Sequence, residues 1–151
     1  MIIFLGNRRS VEAYKHIVDE SKGDRDIVVS CQYPFLVPKS CVDHFTCVNI
    51  HYGLLPYFAG CNPIYWQMVK SDSVGVTLHY MDENFDSGDI IETFCFPHHG
   101  MTADECYENC EKIGVSLFTR HYKSILEGTA HRKKQDKTKR VYYKKSMADF
   151  N

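Results

Sequence analysis

The chain has 151 residues, a length that accommodates one domain and one core rather than two. Hydrophobic residues make up 44%, charged residues 25%, and the formal net charge is −1, a balance that excludes global disorder and selects no charged partner. The amino-terminal run Met1–Leu5 is shorter than a signal h-region and is cut off by Gly6, and no apolar stretch spans a bilayer, which predicts a cytoplasmic protein with no membrane partner.

Residues 2–6 are continuously apolar and predict a buried strand. A helix is predicted from about Ser10 to Ser21, with Ser10 as N-cap and Val11, Tyr14, Ile17 and Val18 on one face. The intervening Gly6-Asn7-Arg8-Arg9-Ser10 reads as a plain strand-to-helix turn with two solvated arginines rather than as a phosphate cradle. Ile27–Val29 is a second buried strand, ended by a loop in which Pro34 and Pro38 exclude a regular helix or central strand. Cys47–His51 is a third. Asn62 is placed to cap a helix that begins at Pro63 and runs to about Ser71. Tyr65 and Trp66 cannot share one helix face, so at least one of them belongs to the core. Val74–Tyr80 and Ile90–Phe96 are strands joined by the turn-prone segment 84–88, an antiparallel pair.

From Thr102 to Glu127 the pattern is a long amphipathic helix, with Thr102 and Glu105 as a capping box and Gly128 as its stop. Cys106, Cys110, Ile113, Leu117, His121 and Ile125 fall at helical spacing along it. Strands alternating with helices define an α/β fold: a Rossmann-like, mostly parallel sheet with flanking helices. Residues 1–130 form the core, and 131–151 a basic arm holding eight of the 18 Lys and Arg residues. That arm is read as solvated and packing Tyr142-Tyr143, not as a nucleic-acid site. Seven cysteines without a C-x-x-C pair point to free thiols rather than to a disulfide scaffold. Cys95 near His98-His99, with Cys106 and Cys110, is the sharpest metal candidate, but small buried cysteines explain the same residues, and no metal is expected.

Asn49 and His51 stand two apart at the end of an apolar strand, so both project from the same face of the sheet. The crevice beyond the carboxyl ends of such strands is where open α/β sheets bind ligands. Asp86 follows in a loop with Ser87-Gly88 behind it. An amide, an imidazole and a carboxylate suffice for acyl transfer between nitrogens, the first two stabilising the tetrahedral oxyanion and the third taking a proton directly or through water. Singly, each residue has a structural explanation: a strand-end bridge, a half-buried histidine and a turn former.

In combination, the run from Asn49 to Gly60, NIHYGLLPYFAG, followed by Gly75 to Ile91, GVTLHYMDENFDSGDII, closely resembles the formyltransferases that use 10-formyltetrahydrofolate. The pattern of that family is N-x-H-x-S/G-L-L-P followed by a segment like G-V-T-x-H-x-M-D-E-x-x-D-x-G-x-I, and the motifs are closest to sugar N-formyltransferases and methionyl-tRNA formyltransferase. The resemblance implies that Asn49, His51 and Asp86 are catalytic, that Phe35, Leu36, Val37 and Pro38 form the loop beside the pterin ring, and that backbone groups around Asp82 bind its edge. Gln135-Asp136-Lys137-Thr138-Lys139 before Tyr142-Tyr143 is similar to the family's segment after the last helix. The match covers roughly residues 27–143, and the amino-terminal part is shorter than in the family, a shortened core with a long carboxyl-terminal helix.

The function so implied is transfer of a formyl group from 10-formyltetrahydrofolate, the cosubstrate, to a primary amine on a nucleotide-linked amino sugar. A hydrolase releasing formate from the same cosubstrate, or a non-catalytic member binding folate or a partner, are the alternatives. The missing amino-terminal strands leave a sheet edge or apolar face to be covered, which predicts a homodimer.

Overall fold

The structure is a computed structural model and describes residues 1–18 and 26–144. The elements in chain order are β1 (Ile2–Gly6), α1 (Arg8–Lys15), β2 (Ile27–Cys31), α2 (Lys39–His44), β3 (Thr46–His51), β4 (Ala59–Gly60), α3 (Pro63–Lys70), β5 (Ser73–Tyr80), β6 (Ile90–Pro97), α4 (Ala103–Glu127) and β7 (Tyr142–Tyr143). Five strands form one sheet in the order β1-β2-β3-β5-β6. β1, β2 and β3 are parallel, β5 is reversed against β3, and β6 is reversed again, so only β5 opposes the common direction. This is the mostly parallel, Rossmann-like sheet expected, with the predicted antiparallel pair at one side. β4 and β7 make a separate two-stranded parallel ribbon.

Every residue of β2 is buried, and β3 and β5 are buried over most of their length, which explains their unbroken apolar character. Val29, Val48, Ile50, Val76 and Leu78 join Cys106, Cys110, Leu117, Phe118 and Ile125 of α4 in one cluster, closed at one end by Tyr14 of α1. Four cysteines thus serve as small core residues, and burial pushes the thiols of Cys31, Cys47 and Cys110 up to about 12, where they are protonated and inert. Cys95 is exposed on β6, and no metal-holding group of three or more His, Cys, Asp or Glu exists among the described residues. No helix among them is long and apolar enough to cross a membrane.

Helix α1 begins earlier than the sequence suggested. Asn7, in extended backbone, caps it by accepting from the N–H of Ser10 at 2.9 Å, while Ser10 lies inside the helix and is buried. The amide three residues upstream outcompetes the hydroxyl nearest the apolar face. Helix α1 ends at Lys15, and the part predicted for residues 19–21 lies outside the described residues. α2 was masked by its own proline: Pro38 excludes a helix before it but opens one after it, its carbonyl accepting from Cys41 and Val42. Asn62 precedes α3 as predicted, yet sits in the left-handed region at φ 51° and makes no side-chain cap. Trp66 is buried and Tyr65 is not. In α4, Thr102 caps through the N–H of Glu105, and Gly128, at φ 73°, ends the helix. His121 turns from the core to meet Glu92 at 3.0 Å.

One fully buried side chain fixes the path after β3. Gln67 of α3 accepts from the N–H groups of Leu54 and Gly75 at 2.9 and 2.8 Å, and donates to the carbonyls of Tyr52 and Pro63 at 2.9 and 3.1 Å. All of its amide valences are used, so the loop leaving His51 is held to α3 and β5 at once. Gln67→Leu keeps the volume but strands these backbone groups, each worth roughly 1–3 kcal/mol when buried and unpaired. Urea denaturation of this variant should show a loss of at least about 3 kcal/mol; a loss within error of zero would mean that water replaces the side chain.

Candidate active site

Alternation along β3 brings Asn49 and His51 to one face, and the antiparallel register sets Asn49 directly opposite His79 of β5. Asn49 Nδ2 donates to His79 Nε2 at 3.0 Å, and His79 Nδ1 donates to the carbonyl of Tyr80 at 2.7 Å. One ring nitrogen therefore accepts and the other donates, which fixes His79 as the neutral Nδ1–H tautomer. Its burial lowers its pKa, an effect that the nearby Asp86 carboxylate and the Tyr80 carbonyl oppose.

Asp86 lies in the loop between β5 and β6 with φ at 53°, in the left-handed region. Its Oδ2 accepts from the N–H of Gly60 at 2.9 Å. Its Oδ1 is 3.5 Å from Asn49 Nδ2, 3.5 Å from His51 Nδ1 and 3.8 Å from His79 Nε2. Burial pushes the Asp86 carboxyl up, but His51, His79, the Gly60 N–H and Arg140 together pull it below the ordinary carboxylate value. His51 donates from Nε2 to the carbonyl of Phe58 at 2.7 Å, which leaves Nδ1 facing Asp86. That bond requires Gly53, because a Cβ there would stand 2.7 Å from both His51 Nε2 and the Phe58 oxygen. The three residues singled out from the sequence thus converge on one carboxylate oxygen. His79, the Gly60 N–H, Gln135 and Arg140 join them without having been foreseen as site residues. His79, Gly60 and Gln135 each lie in a segment that resembles the family, which is the signal that could have found them; Arg140 carried none.

In front of the cluster opens a cleft of about 350 Å³ lined by Asn49, His51, Gly60, Phe85, Asp86 and Tyr142, among others. Behind it lies a pocket of about 40 Å³ between Asn49, His79, Asp86 and the loop residues Phe35, Leu36 and Val37. Pro38 and Asp82 are not among the residues lining it. Pro38 opens α2, and Asp82 accepts from the Asn84 N–H at 2.9 Å and the Ser87 hydroxyl at 2.6 Å, shaping the loop that carries Asp86. A larger cavity of about 590 Å³ shares Gln32, Asn62 and Pro63 with the cleft and extends past Tyr52, Tyr65 and Tyr107. Arg9 at its rim is held by Glu111 at 3.1 Å and by the Tyr107 ring.

A parallel-rich α/β sheet with an amide, two imidazoles and a buried carboxylate gathered beside its central strands holds groups that can exchange protons with a molecule in the adjoining cleft. Residues 7–121 match the family described as formyl transferase, and the chain belongs to that family. It is 32% identical over 115 residues to the methionyl-tRNA formyltransferase of Desulfotalea psychrophila, a match covering 74% of this chain and 36% of that protein. A similar relative from Clostridioides difficile is 32% identical over 127 residues, covering 81% of this chain and 41% of its own length. The chain thus spans well under half the length of these curated relatives. Among solved structures, the formyltransferase PseJ of Anoxybacillus kamchatkensis, in complex with UDP-4,6-dideoxy-4-formamido-L-AltNAc and tetrahydrofolate, superposes with a TM-score of 0.78 at 25% identity. That match covers 97% of this chain and 86% of the other.

The two perturbed groups give stability an acid limit. His79 titrates lower in the fold than in the unfolded chain, so below about pH 6.5 the unfolded state binds the extra proton and stability falls with pH. Asp86 is likewise depressed, and its contribution, intact above about pH 4, is lost as pH falls through its folded value. Thermal melts should therefore show Tm declining in two stages, and His79→Gln should flatten the first. A Tm that is level between about pH 6.5 and 5 in the parent chain would contradict a buried neutral His79.

Proposed function

We propose that this chain transfers a formyl group from 10-formyltetrahydrofolate to a primary amine carried on a nucleotide-linked amino sugar. The observation that carries the reading is the convergence of Asn49, His51 and Asp86 at one carboxylate oxygen on the wall of the cleft. In the reaction the amine nitrogen attacks the formyl carbon, the carbonyl oxygen becomes an oxyanion, the nitrogen loses a proton, and the bond to N10 of the folate breaks as N10 gains one. Asp86, kept ionised, receives the proton from the attacking amine directly or through water. His51, carrying a second proton on Nδ1 drawn from solvent, and the loosely held N–H of Asn49 stabilise the oxyanion, and the proton received by Asp86 passes to N10 as the folate leaves. No side-chain nucleophile is needed.

The pterin ring is assigned to the side of Phe35, Leu36, Val37 and Pro38, with backbone groups around Asp82 at its edge. The pocket there, about 40 Å³, holds a few waters at most, so a bound ring would require the 33–38 loop to give way. Phe35 and Leu36 are 66% and 46% exposed, apolar surface that a planar ring would cover. The acceptor amine approaches through the larger cleft, and the cavity continuing past Tyr65 and Tyr107 offers aromatic faces to the rest of the acceptor. The likeness to a formyltransferase crystallised with a UDP-linked formamido sugar supports this class of acceptor.

Tetrahydrofolate release from 10-formyltetrahydrofolate, followed with a panel of nucleotide-linked amino sugars, should depend on one acceptor. His51→Ala or Asp86→Asn should lower turnover at least ~100-fold with folate binding nearly intact. Release without any acceptor would make the chain a hydrolase, transfer to methionyl-tRNA would replace the acceptor, and folate binding without turnover would leave a binding protein.

The reading includes a homodimer. β1 is an edge strand of the sheet, and its apolar residues are only half-buried, with no charge or proline along it. Light scattering should give twice the chain mass; a monomer at micromolar concentration would refute this part.

A further inference from the structure

The residues after α4 return to the site and take hold of Asp86 from behind. Gln135 Nε2 donates to the carbonyls of Asp86 and Gly88 at 3.0 and 2.7 Å. Arg140 donates from Nη1 to the Asp86 carbonyl at 3.2 Å and from Nη2 to the Phe85 carbonyl at 2.6 Å. Four hydrogen bonds from two side chains thus fall on three carbonyls of one short loop, centred on a non-glycine residue in the left-handed region. Asp tolerates that region at a cost of about 1 kcal/mol, so the conformation persists only while its surroundings hold it.

The same stretch reaches the carboxylate by a second route. β7 runs parallel to β4, with Ala59 opposite Tyr142 and Gly60 opposite Tyr143. The N–H groups of Ala59 and Cys61 donate to the carbonyls of Val141 and Tyr143 at 3.0 and 2.8 Å. Alternation along the ribbon then turns the intervening Gly60 N–H the other way, onto Asp86 Oδ2. Gly60 sits at φ 95°, and a Cβ there would be 2.3 Å from the Tyr143 oxygen, so the pairing depends on glycine. The Tyr143 ring anchors the ribbon between Phe58 and Trp66, with centroids 5.9 and 4.8 Å away.

We infer that residues 135–143 form a clamp that positions Asp86, with Gln135 and Arg140 as positioning residues for the proposed transfer. Gln135 and Arg140 fix the backbone from which the carboxylate projects, and the β4–β7 ribbon fixes the N–H that receives it. The charged and titratable groups facing Asp86 are then His51 from β3, His79 from β5, and Arg140 and Tyr142 from the arm. The kinetic part of the inference rests on the formyl-transfer reading; the positional part does not.

The test uses the full chain with Gln135→Met, Arg140→Ala and Arg140→Lys. Carbon-detected NMR of labelled aspartate follows the backbone shifts and titration of Asp86, while circular dichroism reports the fold. Both non-donor variants should move the Asp86 backbone shifts away from left-handed values. Arg140→Ala should also raise the titration midpoint, and Arg140→Lys should restore most of it by returning the charge. With 10-formyltetrahydrofolate and an accepted amine, kcat should drop ~10-fold or more while KM for the formyl donor stays within about threefold, as for a misplaced catalytic group. Asp86 shifts and midpoint unchanged in folded Gln135→Met and Arg140→Ala chains would overturn the clamp. Should the parent chain transfer no formyl group, the NMR measurements still decide the clamp while the proposed reaction fails alone. If Arg140→Ala does not fold, Gln135→Met carries the comparison.

Discussion

A carboxylate about nine-tenths buried is the constraint around which this molecule is organised. Taking such a charge out of water costs several kcal/mol unless dipoles and partners are already in place. For Asp86 they come from scattered parts of the chain: His51 at the end of β3, His79 on β5, the Gly60 N–H on β4, and Arg140 beyond α4. None of these is adjacent to Asp86 in sequence. The sheet supplies the two imidazoles by register, and the ribbon supplies the N–H by alternation.

The surroundings of His51 show the same economy of means. Its Nε2 is occupied by a carbonyl only seven residues on, which leaves Nδ1 as the single nitrogen that can face the carboxylate. The segment between the two is short enough to need a glycine at position 53 and a buried amide, Gln67, to hold its backbone. The site is therefore precise because rigid, apolar strands carry three of its side chains, Asn49, His51 and His79, and a fully bonded polar side chain pins the loop that follows.

Much of the fold was readable because its signals are local. The apolar runs of β2 and β5, the proline opening α3 and the threonine and glycine bounding α4 each act within a few residues. The differences are also local: Asn7 and Ser10 are both competent caps three residues apart, and a helix as short as α2 leaves too little periodicity to be read. Asn49 and His51 were legible as a pair on one strand face, and the motif pointed to Asp86. What could not be read was everything that depends on distant pairing. Gln135 lies in a segment similar to the family's, yet neither it nor Arg140 shows a partner until the arm is seen crossing behind the β5–β6 loop. His79 is the histidine of the G-V-T-x-H segment, but its partner became visible only in its register against Asn49.

The parallel ribbon that closes the site joins residues far apart in sequence, Gly60 with Tyr143, and the bonds to the Asp86 loop span separations of 47 to 55 residues. Contacts of that range are made after the nearby ones, because the chain between them must first be ordered. A nascent chain could therefore form the sheet and display the entire Asn-His motif while its carboxylate still lacks an address. In such a molecule the core matures first and the surroundings of Asp86 last, so that the geometry of the site belongs to the residues beyond α4 as much as to its recognisable motif.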